Sequence, residues 1–310
     1  MTTILFTHPA CLGHDAGEFH PESPERLRAV LGALESEEFA HLLRAEAPEA
    51  TVEQIGRVHG ADFISFIRKS IPAEGRPVHL DPDTLVGPGS WEAALRAAGA
   101  VVAAVDAVAR GECRNAFCAV RPPGHHAERA AAMGFCLFNN VAIGALHARA
   151  AYGFQRIAVL DIDVHHGNGT QDAFFDDAGL FYASTHQEGA YPGTGFTHET
   201  GVAGNILNLP LPPGCSSLTW RQGVADVILP AMRHFRPDFI LISAGFDAHA
   251  ADPLAHMRLA TADYHWVARE VCDLADAACG GRVVSVLEGG YDLAALAHSA
   301  AAHVRGLMGY

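Results

Sequence analysis

The sequence predicts an α/β fold built on a mainly parallel sheet with helices on both faces. Three observations predict it. Short, continuously apolar, β-rich runs recur along the chain. Helical stretches stand between them in alternation. Polar clusters follow the apolar runs directly instead of being spread evenly. A continuous apolar run suits a strand buried on both faces, as parallel strands are. With 310 residues, 49% of them hydrophobic, the chain can bury a large core, and α/β proteins of this size often form one domain.

Taken in order, the first strand candidate is the apolar run at 4–6, followed by a helix over 24–34. An Ala/Val-rich helix over 91–110 precedes the strand at 116–120. A helix over 140–152 leads to the strand at 157–160, and another strand follows at 180–183. The helix over 218–234 feeds the strand at 239–243. The helix over 262–278 feeds the last strand, 283–287, and a helix over 293–307 closes the series. No internal repeat, low-complexity segment or long linker interrupts this order.

The polar clusters are RPPGHH (121–126), DIDVHHGNG (161–169), SAGFD (243–247) and EGGY (288–291). Each sits just after a strand candidate. In an open α/β sheet, ligands bind outside the carboxyl ends of the strands. Segments far apart in sequence should therefore meet at one rim.

Composition narrows the class of ligand. The net charge is −14 with histidine neutral, and no Lys/Arg run stands out. An acidic surface argues against tight binding to nucleic-acid phosphates and suits cationic substrates such as lysine side chains or polyamines. The cysteines number seven, an odd count without a CxxC pair, and Cys118, Cys136 and Cys272 sit in apolar runs. That reads as a reduced, intracellular protein without a disulfide framework. The opening MTTILFTHPA has no basic segment leading into a long apolar stretch, so no signal peptide is expected. The longest apolar run, around 97–109, contains Asp106 and is too interrupted to span a bilayer. The cytoplasm is the expected compartment.

Asp163 and His165 stand two apart at a strand end and should point the same way. An isolated Asp-x-His pair reads first as a solvated carboxylate and a satisfied histidine. Asp247, at the end of another strand, reverses that balance. One imidazole and two carboxylates can hold a divalent ion and leave positions open for water and substrate. His125 and His126 follow Pro-Pro-Gly, a stiff turn. Such a pair reads as surface histidines, as further metal ligands, or as the acid and base that hydrolysis needs near neutral pH. Tyr291 follows two glycines, which free the backbone to aim its phenol. It reads as an ordinary half-buried tyrosine or as a donor to a developing oxyanion. Asp161 alternates in phase with Asp163 and could fix a histidine tautomer; Asn168 could orient an imidazole as a neutral partner.

These segments resemble the motifs of the histone deacetylase superfamily. RPPGHHA (121–127), DIDVHHGNGT (161–170), SAGFDAH (243–249) and EGGY carry the resemblance, and GFCLFNN (134–140), YPGTG (191–195) and HPESPERL (20–27) extend it over almost the whole chain. The family includes class I and II lysine deacetylases, acetylpolyamine amidohydrolases and proteins linked to acetoin utilisation. The resemblance implies a three-layer α/β/α arginase-like fold around an eight-stranded, mainly parallel sheet, with residues 1–310 as a single deacetylase catalytic domain. It implies one Zn²⁺ on Asp163, His165 and Asp247, although such a ligand set also accepts Fe²⁺. His126 would be the general base and acid, paired with Asn168. His125 would assist electrostatically, paired with Asp161. Asparagine at 168 resembles class II and bacterial enzymes; class I enzymes carry aspartate there. Tyr291 would polarise the scissile carbonyl. Phe135 and Tyr191 would wall the acyl-lysine tunnel, and the Gly134 carbonyl would accept the substrate amide N–H. Many members also bind K⁺ near Asp161, with Ser184 helping.

The implied reaction is hydrolysis of an N-acyl amine with release of acetate. The expected partner is an acylated lysine or an acetylated polyamine, and a second copy of the chain is a further candidate. Polyamine-specific members carry a gatekeeper glutamate seven residues beyond the third zinc ligand. Here Leu254 holds that place, which favours acyl-lysine. Glu188 could supply an acid by another route. Asp83, in DPDT, would grip the backbone N–H groups of a peptide, and Glu18 with the HPESPER segment would shape the entrance. Cys136 marks the tunnel's foot, where acyl length would be sensed. Two rival readings exist. A two-manganese ureohydrolase needs more bridging aspartates than the chain supplies. A catalytically dead acyl sensor would be expected to lack at least one of His126, Asp163, His165, Asp247 and Tyr291.

Overall fold

The computed structural model describes residues 2–310. In chain order, β1 (Thr3–Thr7) leads to α1 (Pro24–Ala33), β2 (Leu43–Glu46), a short α2 (Val52–Ile55) and α3 (Ala61–Ser70). A small antiparallel hairpin follows, β3 (Val78–His79) against β4 (Leu85–Val86). Next come α4 (Ser90–Ala109), β5 (Asn115–Cys118), α5 (Asn140–Tyr152), β6 (Ile157–Asp161), α6 (Asn168–Phe174), β7 (Leu180–Gln187) and β8 (Ile206–Leu211). The last third holds α7 (Ser217–Gly223), α8 (Leu229–Phe235), β9 (Phe239–Ala244), α9 (Thr261–Cys279), β10 (Val283–Leu287) and α10 (Leu293–Met308).

The main sheet has eight strands in the order β2-β1-β5-β10-β9-β6-β7-β8, and every pairing in it is parallel. Parallel crossovers are right-handed, so their direction across the sheet decides the face each helix covers. The steps from β2 to β5 and from β5 to β6 run one way, and α4 packs on α5 over one face. The steps from β1 to β2 and from β9 to β10 run the other way, and α1, α10 and α9 pack in a row over the opposite face. The expected three-layer α/β/α architecture is therefore the observed one. The inner strands β6, β9 and β10 are buried at every position, as their unbroken apolar runs require.

The differences from expectation lie at the edges. The outer strands β2 and β8 carry no continuous apolar run. β2 reads LRAE and is mostly exposed; β8 contains Asn208 and Pro210, and proline is tolerated on a strand at the sheet edge. The helix expected over 218–234 forms as α7 and α8 joined by a π turn, Val224–Ile228. Pro230 explains the wider turn, since it donates no N–H and its ring crowds the carbonyl four residues earlier. All seven cysteines are free and buried. Among the described residues, no helix is long and apolar enough to cross a membrane.

The strands that carry the polar clusters, β5, β10, β9 and β6, are consecutive neighbours in the sheet. Their carboxyl ends thus deliver all four clusters to one stretch of rim.

Candidate active site

Beyond β6 the ladder continues one step, with the Ile162 N–H donating to the Ser243 carbonyl (3.0 Å). Asp163 and His165 follow. The His165 N–H donates to Asp163 Oδ1 (2.8 Å), which tucks the loop back on itself. Asp247, beyond β9, accepts the Val164 N–H on Oδ1 (2.8 Å) and ties the two loops together. The donor atoms of Asp163, His165 and Asp247 all lie within 4.8 Å of one another. His165 Nδ1 stands 3.1 Å from Asp163 Oδ1 and 3.2 Å from Asp247 Oδ2. That Asp247 oxygen is buried yet accepts no hydrogen bond. Glycine is needed beside it: a Cβ at Gly289 would sit 2.1 Å from Asp247 Oδ2, and one at Gly245 would sit 2.1 Å from Asp163 Oδ2.

Charge at this point is strongly biased. Burial, and then the neighbouring Asp163, push the Asp247 carboxyl up to about 7. Burial opposes a charged imidazole at His165, but the two carboxylates prevail and raise it to about 10. Such a trio attracts positive charge. One imidazole nitrogen and two carboxylates, one of them with an orphaned buried oxygen, fit a divalent cation.

The loop after β5 supplies the histidines. Glu288 holds it: one carboxylate oxygen accepts the Gly124 N–H (2.7 Å) and the His125 N–H (3.2 Å), and the other accepts the Ser243 hydroxyl (3.0 Å). His125 Nδ1 lies 2.9 Å from Asp161 Oδ2, which also accepts the Tyr182 hydroxyl (3.1 Å). His126 Nδ1 lies 2.8 Å from Asn168 Oδ1. The two rings are 4.0 Å apart between centroids, and their environments drive them in opposite directions. Burial would lower His125, yet Asp161 and Asp163 raise it to about 10. Burial, then the charges of His125 and His165, hold His126 well below the usual imidazole range. A charged histidine thus stands beside a neutral one, and the neutral one has a free ring nitrogen.

Tyr291 is held through its backbone. Its N–H donates to Asp252 Oδ2 (2.7 Å), and the Gly289 N–H donates to Asp163 Oδ2 (2.9 Å). Arg26 takes the carbonyls between them, donating to Gly290 O (2.6 Å) and Glu288 O (2.5 Å). Its guanidinium also lies over the Tyr291 ring, 4.9 Å from the centroid. Arg26 is fully buried and paired with Glu22 (2.9 Å), which Arg121 also grips. Burial would raise Glu22, but Arg121, then His14 and Arg26, hold it at about 2.

Two aromatic rings flank these groups. The Phe135 ring meets Tyr291 edge-on at 5.9 Å, and the Tyr191 ring meets His126 edge-on at 5.0 Å. The Gly134 carbonyl accepts the Cys136 thiol (3.2 Å). A cleft of about 460 Å³ opens beside Phe135, lined by Phe19, His20, Pro82, Asp83 and Leu85 among others. Phe19 is 93% exposed and Leu254 is 42% exposed. Glu188 is exposed but lines a separate cleft with Gly193 and Phe196. A larger cavity, of about 620 Å³ and lined by Arg156, Arg233 and Phe235, sits at the amino-terminal ends of the strands, away from these groups. Ser184 pairs in register with Asp161, and its hydroxyl lies 2.9 Å from His186 Nδ1.

One expectation needs correction. The HPESPER segment does not simply shape the entrance: Glu22 and Arg26 are fully buried beneath the site. Arg121, Tyr182, Glu288, Glu128 and Asp252 are further partners of the site that motif spacing alone does not mark. Charged residues read as surface in a sequence unless their partners are known. The signal available was local, since Arg121 and Glu288 lie inside motifs already recognised.

A histone deacetylase domain model matches residues 20–307. The chain is 41% identical to histone deacetylase 14, chloroplastic, of Arabidopsis thaliana, over 99% of this chain and 77% of that protein. It is 35% identical to the polyamine deacetylase HDAC10 of Mus musculus, over 99% of this chain and 46% of that protein. The crystal structure of the HDA15 HD domain superposes with a TM-score of 0.93 at 35% identity, covering 99% of this chain and 88% of that one. With its motifs gathered at the carboxyl ends of four neighbouring strands, the chain belongs to the histone deacetylase family.

Proposed function

We propose that this protein is a zinc-dependent deacetylase that hydrolyses the amide of an N-acyl amine, with residues 1–310 as one catalytic domain and acyl-lysine side chains as substrate. The observation that carries the reading is the meeting of an Asp-His-Asp trio, a neutral histidine beside a charged one, and a backbone-clamped tyrosine at one rim. Asp163, His165 and Asp247 would hold Zn²⁺, which when bound supplies Lewis acidity and makes water a nucleophile near neutral pH. K⁺ beside Asp161 and Ser184 is the second cation of this reading.

The protein's own groups then divide the work. Phe135 and Tyr191 hold the apolar stem of the acyl-lysine, and the Gly134 carbonyl accepts the amide N–H. Tyr291 donates a hydrogen bond to the carbonyl oxygen as negative charge grows there. His126 takes a proton from the attacking water on its free nitrogen and passes it to the departing amine. The water oxygen bonds to the carbonyl carbon, the C–N bond breaks, and acetate leaves. His125, kept charged by Asp161, stabilises negative charge without giving up its proton. Asp83 grips peptide N–H groups at the rim.

Leu254 supports a lysine substrate over a polyamine, because an apolar side chain offers a distal ammonium nothing to pair with. The exposed Glu18 at the entrance supports the polyamine alternative. Purified chain should deacetylate an acetyl-lysine peptide, lose that activity to a chelator and regain it with Zn²⁺. The kcat/KM on the peptide should exceed that on N-acetylputrescine. Chelator-insensitive hydrolysis would sink the metal assignment, and the reverse ratio would transfer the substrate to the polyamine class.

A further inference from the structure

A carboxylic acid and a carboxamide make different demands when they pair with an imidazole. An aspartate presents an acceptor whichever way it turns. An asparagine presents an acceptor on one face and a donor on the other. The turned-over amide would offer its NH₂ to His126 Nδ1, make that nitrogen the acceptor and move the ring proton to Nε2. His126 would then have no lone pair for the attacking water. An asparagine at position 168 therefore needs something to fix its orientation.

Glu128, two residues beyond His126, meets that need. Its Oε1 accepts from Asn168 Nδ2 at 2.7 Å. The Met133 sulfur, a weak acceptor, lies 3.3 Å from the same nitrogen. A carboxylate can only accept, so the atom of Asn168 that faces it must be the NH₂. The carbonyl oxygen is thereby turned to His126 Nδ1, at 2.8 Å. Asn168 is nearly fully buried, so water cannot replace either partner freely. We infer that Glu128 is a positioning residue for catalysis: through Asn168 it fixes the Nδ1–H tautomer of His126 and keeps Nε2 free as the base. The inference rests on the deacetylase reading, and it places a functional constraint on a partly exposed glutamate that touches neither substrate nor metal ligands.

The test combines Glu128→Ala with Asn168→Asp in the zinc-loaded chain. Glu128→Ala alone should lower kcat about tenfold, the scale of one hydrogen bond's preference, with KM little changed. In the Asn168→Asp background no amide remains to orient. There Glu128→Ala should cost nothing further, or raise kcat by relieving two facing carboxylates. Ring ¹⁵N shifts of His126 supply a readout independent of turnover: Nδ1-protonated in the parent, mixed or Nε2-protonated in Glu128→Ala. An equal loss of kcat in both backgrounds, or an unchanged tautomer in Glu128→Ala, overturns the inference. Thermal melting and zinc content guard against simple misfolding, and Glu128→Gln, which keeps the shape, is measured if the alanine variant melts early. If the parent hydrolyses no acyl amine yet the tautomer shifts as described, the functional reading fails while the positioning role stands.

Discussion

Replacing His126 by alanine is expected to lower kcat by about 10³-fold on an acetyl-lysine peptide, within the usual range for loss of a general acid and base. KM should change little, because the ring meets the wall residue Tyr191 edge-on but makes no hydrogen bond on the substrate side. The reason for so large an effect lies in the pairing of the two histidines. His125 holds its proton against Asp161 and Asp163, so it is a poor base. His126 is the neutral partner, pushed down first by burial and then by the charges of His125 and His165. No other neutral base is seen within the cluster. His125→Ala should cost less, because it removes a charge and not the proton carrier. Steady-state kinetics with zinc content measured per chain separate lost chemistry from lost metal. Turnover of His126→Ala within tenfold of the parent would assign the base elsewhere.

The second large effect concerns stability. Glu22→Gln should destabilise the fold by about 3–5 kcal/mol, since it leaves Arg26 and Arg121 buried without their shared carboxylate. The same pocket makes the fold acid-labile. The two guanidiniums hold the Glu22 carboxyl at about 2 in the fold, against 4.5 in the unfolded chain. Its contribution is complete above 4.5 and is lost as pH falls toward 2, about 3 kcal/mol in all. His14 faces Glu22 at 3.4 Å and hydrogen-bonds Ser90 at 2.7 Å. Burial lowers it from 6.5 to about 4, so it is neutral at pH 7 and forms no ion pair there. The unfolded chain takes up that proton first, so stability falls as pH drops from 6.5 toward 4. Urea unfolding of the parent should therefore weaken below pH 6.5 and weaken again below 4.5, and Glu22→Gln should shrink the second step. A loss under about 1 kcal/mol in Glu22→Gln would refute the buried-cluster account.

The parts of the molecule that were legible share one property: their burial shows in neighbouring residues. The inner strands announce themselves as apolar runs, and the site follows from polar clusters placed after them. Asp163 and His165 are readable because a two-residue spacing maps onto one side of a strand. The edge strands β2 and β8 are not readable, because β2 is mostly exposed and β8 is interrupted by Asn208 and Pro210. Helix α3 is not legible although Phe63, Ile64 and Ile67 bury one of its faces, because that face packs in a second, smaller apolar cluster with α4 and α5 and not on the sheet. Charged partners were the least readable. Glu22 and Arg121 are 99 residues apart, and Glu128 and Asn168 are 40 apart. Spacing rules describe a single element; they say nothing about pairs that only the finished fold brings together.

Arg26 reaches the Gly290 carbonyl across 264 positions of chain. That span sets an order of assembly during synthesis. A nascent chain that has emerged through Asp247 already contains every residue of the Asp-His-Asp trio. It still lacks the segment that Arg26 clamps. In the proposed deacetylase, turnover would therefore report completion of the whole sheet. A fragment ending before β10 lacks Tyr291 and is expected to turn over no substrate.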